Sequence, residues 1–256
     1  PVWLPEGVWT DFFTGDIYRI GKGGREFTAV RPADSIPVFA EAGAVMVCSD
    51  DQGNTCENPH ALEITVWNGN GGFRLYEDRE DGAECLTVIG TSCDEQTGTQ
   101  TVTIRTEGDR SVLPTDRRLS LRFPNIISRH PADELLAPQT GNVTVTVERN
   151  GQNTAFEADT YAEATVTLTE YDPAATYTVR VTVPAVDILT EKKREVIAKL
   201  QKTQATFSVR KKIAEKVQAA ESIDRLRSWI LLSDLDKTEK KRLCETLTED
   251  DPPISE

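Results

Sequence analysis

The chain has 256 residues, of which 38% are hydrophobic, enough to bury a substantial core at this length. Its formal charge is −13 with an isoelectric point near 4.8, which argues against nucleic acid as a main partner, because phosphate binding needs clustered, unneutralised Lys and Arg. No stretch approaches the roughly 20 apolar residues that cross a bilayer, so no membrane partner is expected. Two histidines, His60 and His130, leave little material for a His-rich metal site or a Ser-His-Asp triad.

From the N-terminus the reading is one of short strands. Val2–Leu4, Val8–Phe13, Glu26–Val30, Pro37–Ala40 and Ala44–Cys48 are rich in β-branched or aromatic residues and separated by turn formers. The chain begins at Pro1 without an initiator Met or a signal-like segment, so it reads as a fragment and its compartment is left unassigned. Ser49-Asp50-Asp51-Gln52-Gly53-Asn54 is a polar, turn-forming run, and a domain boundary is expected close to Pro59. Further strands are expected at Leu62–Trp67, Phe73–Tyr76, Thr101–Arg105, Leu119–Phe123, Val143–Glu148, Thr165–Leu168 and Tyr177–Val183. In Thr178-Val179-Arg180-Val181-Thr182-Val183 every second residue is apolar, which puts one face on a core and one in water. Asn150-Gly151 between two such runs is a hairpin signal. Many short strands without intervening helices indicate antiparallel β-sandwiches.

Composition then changes sharply. All 16 glycines lie at or before Gly151, while the segment from Asp187 onward carries 15 Lys and Arg against 14 Asp and Glu. Leu189–Gln204, Ser208–Ala220, Ser222–Leu232 and Asp236–Glu249 are free of Gly and Pro and read as helices, with Asp236 and Glu239 spaced for a capping box. Val209, Ile213 and Val217 form an apolar stripe, read as packing into a small bundle; an oligomerising or partner-binding surface is the alternative. The basic triplets Lys192-Lys193-Arg194, Arg210-Lys211-Lys212 and Lys240-Lys241-Arg242 are offset by neighbouring acids and read as solvated helix faces. The fold class expected is therefore mainly β, antiparallel β-sandwich domains followed by an α-helical C-terminal bundle.

Sites are harder to find. There is no GxSxG, Walker loop, HExxH or strand-borne GxGxxG. Five cysteines (Cys48, Cys56, Cys85, Cys93, Cys244) read as free thiols, although the equal spacing of Cys48/Cys56 and Cys85/Cys93 permits two disulfides; no CxxC pair suggests zinc. The acidic run Glu77-Asp78-Arg79-Glu80-Asp81-Gly82 follows a strand and reads as a hairpin turn. Asp78, Glu80 and Asp81 are its weak metal candidates, because Arg79 would occupy a ligand position in a calcium loop. Asp50, Asp51 and Asn54 form a second acidic cluster with the same turn reading. Trp67, Tyr76 and Tyr161 are the aromatic residues that could stack on a sugar if exposed on one face, whereas Trp9 and Phe13 are expected in a core.

Three segments carry a resemblance. Val2-Trp3-Leu4-Pro5-Glu6-Gly7-Val8-Trp9-Thr10-Asp11-Phe12-Phe13-Thr14-Gly15 is similar to a signature of glycoside hydrolase family 31, the α-glucosidase and α-xylosidase family. Ile36-Pro37-Val38-Phe39-Ala40-Glu41-Ala42-Gly43-Ala44 resembles the strand and turn that follow, with Glu41 where the family usually has Arg. Leu75-Tyr76-Glu77-Asp78 with Asp81-Gly82 resembles a turn of its distal domain, here widened by Arg79-Glu80. The resemblance covers about residues 1–125; strands in 140–186 fit a continuing sandwich, and the helices match no part of the family. It implies a division into 1–58 (end of the proximal sandwich), 59–186 (distal sandwich) and 187–256 (helical appendix). It also implies that the nucleophilic and acid/base carboxylates lie on a (β/α)₈ barrel outside this chain, since a barrel takes about 250 residues. The expectation is a non-catalytic region without a cofactor whose partner is that barrel, the parent enzyme hydrolysing α-glucosidic or related bonds with retention. A carbohydrate- or protein-binding accessory module, with an oligo- or polysaccharide as partner, is the alternative.

Overall fold

A computed structural model describes residues 1–31, 33, 35–51, 57–124, 143–160, 164–168, 170–183 and 187–247. Tyr161, Cys56, His130 and Asn54 lie outside the described residues. The fold is mainly β, with antiparallel sheets and four C-terminal helices. Contacts divide the chain into two compact units, one joining residues 1–41 to the chain from 187 onward, the other comprising residues 42–124 and 143–183.

The first unit opens with five short strands: β1 (Val2–Leu4), β2 (Gly7–Asp11), β3 (Ile17–Ile20), β4 (Arg25–Phe27) and β5 (Phe39–Glu41). β1 pairs with β4, and a second sheet runs β3-β2-β5, all antiparallel. Their small core is Leu4, Tyr18 and Ile20, with Trp9, Phe27 and Phe39 packed on it; the Tyr18 and Phe27 rings stack at 5.1 Å. β3 escapes the sequence reading because its four residues include Arg19 and directly follow the Gly15-Asp16 turn. Phe13 is a correction. Asp11 Oδ1 accepts the backbone N–H groups of Phe13 and Thr14, both at 2.9 Å, which turns the chain out of β2 and leaves Phe13 59% exposed rather than in the core.

The second unit is a β-sandwich. Its strands are β6 (Val45–Ser49), β7 (Ala61–Val66), β8 (Gly71–Asp78), β9 (Glu84–Asp94), β10 (Thr99–Gly108), β11 (Arg118–Phe123), β12 (Thr144–Arg149), β13 (Gln152–Asn153), β14 (Glu157–Asp159), β15 (Ala164–Leu168) and β16 (Tyr177–Thr182). One sheet is ordered β13-β12-β16-β10-β9-β8, the other β14-β15-β11-β7-β6, and β7 and β11 form a parallel pair. Alternate residues of both sheets, including Ile64, Ile104, Leu119, Leu121, Val179 and Val181, fill one continuous hydrophobic core. β9 is the longest strand, yet it was not expected: its inward residues are Cys85, Thr87, Ile89 and Thr91, and Gly90 interrupts it. Cys85 and Cys93 both lie on β9, eight residues and so roughly 27 Å apart, which excludes a bond between them. Asn150 (φ 52°) and Gly151 (φ 78°) form the two-residue loop between β12 and β13, as both positive φ angles of a type I′ turn require. Gly43 (φ 83°) sits against the Asn70 backbone so closely that a Cβ would lie 2.2 Å from its carbonyl oxygen.

The helices α1 (Ile188–Gln201), α2 (Phe207–Gln218), α3 (Ile223–Leu231) and α4 (Lys237–Leu243) complete the first unit. Asp187, Ser222 and Asp236 cap α1, α3 and α4 by accepting the N–H of Thr190 (2.9 Å), Arg225 (3.2 Å) and Glu239 (2.9 Å). The capping box expected at Asp236 is half made, because the Glu239 carboxylate accepts from Arg242 at 2.7 Å instead of reaching back. α1–α2 and α3–α4 are two copies of one helical hairpin offset by thirty positions: buried Leu200, Ile213 and Val217 correspond to Ile230, Leu243 and Leu247. The hairpin loops match as well, with Thr203 N–H donating to Leu200 O and Ser233 N–H to Ile230 O. This repeat leaves only a faint sequence signal, since its copies share an apolar pattern rather than identities.

Candidate functional site

The acids of the three resemblance segments are the natural starting point. Asp11 is fully buried. While its Oδ1 holds the Phe13–Thr14 turn, its Oδ2 receives the Arg31 guanidinium at 2.5 Å. Arg31 Nη1 reaches Glu245, just past α4, at 3.0 Å. The Tyr18 hydroxyl donates to the same Glu245 carboxylate at 2.6 Å, and the Val30 N–H to its other oxygen at 3.2 Å. Burial, followed by the Glu245 charge, pushes the Tyr18 pKa far up, so its hydroxyl stays a donor. Two carboxylates thus share one arginine in a water-poor seam between strands and helices.

A second part of the seam covers the edge of β3. On α1, Lys192 Nζ donates to Ile17 O at 2.6 Å while Glu195 Oε1 accepts from Ile17 N–H at 3.1 Å. An i,i+3 ion pair therefore satisfies the free backbone groups of an edge strand, as a neighbouring strand would. Burial holds the Glu195 carboxyl above the usual carboxylate range, against the opposing pull of Lys192. Alongside, Lys199 pairs with Asp16 at 3.1 Å and Arg19 with Glu191 at 2.8 Å. Arg31, Glu245, Glu195 and Lys199 were not singled out from sequence, and Lys192, read with its triplet as part of a solvated helix face, is instead fully buried because it reaches the Ile17 carbonyl and Glu195. The only hint was a charged residue on an apolar helical face, such as Glu245 between Leu243 and Leu247.

In the sandwich unit, Glu77 of the third segment is buried and held bidentately by Arg117, both contacts at 2.7 Å, and Arg117 Nε donates to Pro59 O at 2.9 Å. The acidic run after it is the hairpin turn between β8 and β9: Gly82 N–H donates to Arg79 O, and Arg79 N–H to Ala83 O. Asp81 is occupied by the Arg79 guanidinium at 2.7 Å, which, together with the Ala83 N–H, holds its carboxyl below the usual range. Asp78 and Glu80 are exposed on the same turn, and among the described residues no group of three His, Cys, Asp or Glu side chains could hold a metal ion. Asp51 acts locally, accepting from the His60 and Ala61 N–H groups. Of the aromatic candidates, Trp67 is 3% exposed and lies in the interior, because the end of β7 faces inward; Tyr76 is 54% exposed with its hydroxyl donating to Glu84 at 3.2 Å. The two do not form one exposed stacking face.

The first unit also presents an apolar surface built by the first two segments, besides the exposed Trp3, Phe207 and Leu232 elsewhere on it. Phe12 N–H donates to Val38 O at 2.8 Å, the Phe12 and Phe13 rings meet edge to face at 5.0 Å, and Phe13, Ile36 and Val38 are all exposed. The first two resemblance segments supply all of these residues.

Chemically, the buried acids Asp11, Asp16, Glu77, Glu195 and Glu245 are each held by backbone N–H groups, an arginine, a lysine or a tyrosine hydroxyl, with Asp11 and Glu245 sharing the single cation of Arg31.

No known family profile and no curated protein matches the chain. Two crystal structures of an uncharacterized protein from Listeria monocytogenes EGD-e are similar at 19% identity and a TM-score of 0.47; one was determined with α-D-glucose, β-D-glucose, magnesium and calcium. The similarity covers 73% of this chain and 17% of the Listeria chain, so the present chain spans about a sixth of that protein's length.

Proposed function

We propose that this chain is the non-catalytic C-terminal region of a family 31 α-glycosidase, and that it stabilises the catalytic barrel of its parent. The observation that carries the reading is the use made of the resemblance residues: Asp11 is consumed by a turn and by Arg31, and Glu77 by Arg117, so each acid holds strands together. The exposed Phe13, Ile36 and Val38 supply an apolar face for packing on the barrel, and each Å² of apolar area removed from water there contributes about 25 cal/mol. In the parent, retaining double displacement would be carried out by carboxylates outside this chain, while the region described here fixes the domain arrangement.

The test is an assay of the purified chain with an aryl α-glucoside, together with the reading frame upstream of Pro1. No turnover is expected, and the upstream frame should encode alternating strands and helices. Turnover by a clean preparation, or a frame lacking that alternation, would overturn the proposal.

A further inference from the structure

β8 is the last strand of its sheet, paired with β9 on one side and with no strand among the described residues on the other. The hairpin joining β8 to β9 fixes which backbone groups point each way. Arg79 N–H donates to Ala83 O at 3.0 Å, so Arg79 bonds across the hairpin. Bonding residues alternate along an antiparallel strand, which turns the N–H and C=O groups of Leu75 and Glu77 toward β9 and those of Arg74, Tyr76 and Asp78 toward the open edge. The Glu84 carbonyl, opposite Asp78, fits this alternation by accepting from Asp109 on the side of β9 away from β8. Asn58 Nδ2 donates to Asp78 O at 3.0 Å, which leaves that carbonyl a second lone pair.

An open edge of this length is ordinarily blunted by Lys, Pro or a bulge. β8 spans Gly71–Asp78 with no Lys or Pro and an unbroken register on β9. The other ends of the two large sheets differ: β13 has two residues, β14 has three including Glu157 and Asp159, and β6 carries no charge that would set a register. The outer face of β8 is also self-complementary. Arg74, Tyr76 and Asp78 alternate on it and are all exposed, whereas Leu75 packs on the core and Glu77 is buried. Arg74 has no ion-pair or hydrogen-bond partner among the described residues. The Tyr76 hydroxyl is drawn toward Glu84, so the acids gather at the Asp78 end of the face and the free cation stands at the other.

We propose that two copies of this chain pair through β8, antiparallel and centred on Tyr76, so that their six-stranded sheets become one. A two-fold axis through Tyr76 places Arg74 opposite the second copy's Asp78, and Asp78 opposite its Arg74. The same register brings the outward backbone groups of Arg74, Tyr76 and Asp78 together in about six main-chain hydrogen bonds. Charge selects it, because centring the pair on Arg74 or on Asp78 would set like charges directly opposite each other. The contact is short and belongs with the small, weak interfaces below about 1,200 Å², so association depends on concentration.

The test is sedimentation equilibrium of the full chain from micromolar to millimolar concentration at physiological salt, where a monomer–dimer equilibrium is expected. Arg74→Asp and Asp78→Arg should each weaken dimerisation at least tenfold, and the two together should restore it to within about threefold of the wild type. Glu157→Gln on β14 should leave it unchanged. Both exchanged side chains are exposed, so circular dichroism should show every variant folded. Residue-resolved hydrogen exchange of the unaltered chain gives a second readout. The Arg74 and Tyr76 amides should slow as concentration rises, while those of Leu75 and Glu77 stay protected throughout. A chain that remains monomeric, a dimer indifferent to the single reversals or not restored by the double one, or Arg74 and Tyr76 amides that ignore concentration overturns the proposal.

Discussion

The two units join their layers by opposite means. In the sandwich, two sheets meet through aliphatic side chains, with Leu119, Leu121, Val179 and Val181 fully buried; the buried polar residues within its strands, such as Thr65, Thr87 and Gln100, are uncharged, and the buried ion pair Glu77–Arg117 stands near a strand end. In the other unit, the strand core of Leu4, Tyr18 and Ile20 and the helical core around Val196, Leu226 and Leu243 are separate clusters, and the seam between them is ionic. The lesson concerns specificity. An apolar interface tolerates small slides, whereas the Lys192–Glu195 pair on Ile17 and the Arg31 fork fix one register. Such a seam contributes little net stability, because desolvation offsets most of the Coulombic gain, yet removing one partner is costly.

That asymmetry can be tested directly. Arg31→Met leaves Asp11 and Glu245 buried without their cation and should destabilise the first unit by about 3–5 kcal/mol. Hydrogen exchange should show residues 1–31 opening while the sandwich stays protected; equal opening of both units would erase the distinction. Leu121→Ala makes a cavity between the sheets and should cost about 2–5 kcal/mol, read as a lowered denaturation midpoint of the sandwich alone. The smallest effect is at the start of α1. Asp187→Ala removes an N-cap worth about 1 kcal/mol. The Thr190 hydroxyl and N–H hold the Asp187 carboxyl below its ordinary range, so the cap's contribution is present at neutral pH and is lost as pH falls below about 4. The difference between wild type and Asp187→Ala should therefore shrink in acid, which urea melts at pH 7 and pH 3 would show.

Much of this architecture was legible in the residues themselves. Alternation in Thr178–Val183 gave β16 its inward Val179 and Val181, Asn150-Gly151 set the β12–β13 turn through two positive φ angles, and long stretches without Gly or Pro after Asp187 marked the helices. These are local effects, decided by side-chain period and backbone preference within a few residues. β9 was missed because Cys85, Thr87 and Thr91 stand at its buried positions, so no apolar alternation marks it; Cys85 packs against Val112 and Leu113, neighbours that only the fold supplies. Trp67, named as a sugar-stacking candidate if exposed, is interior.

What tertiary structure alone decided is where charged side chains meet partners 175 to 214 residues away. Nothing in the neighbourhood of Arg31 names Glu245, and nothing near Lys192 names Ile17, because ion pairing follows distance in space and carries no sequence period. The sequence by itself determined the helices, the turns and the strands with clear apolar alternation, but not β3 or β9. Folding determined that the helices would close on the N-terminal strands, burying Lys192, Glu195 and Glu245 against them.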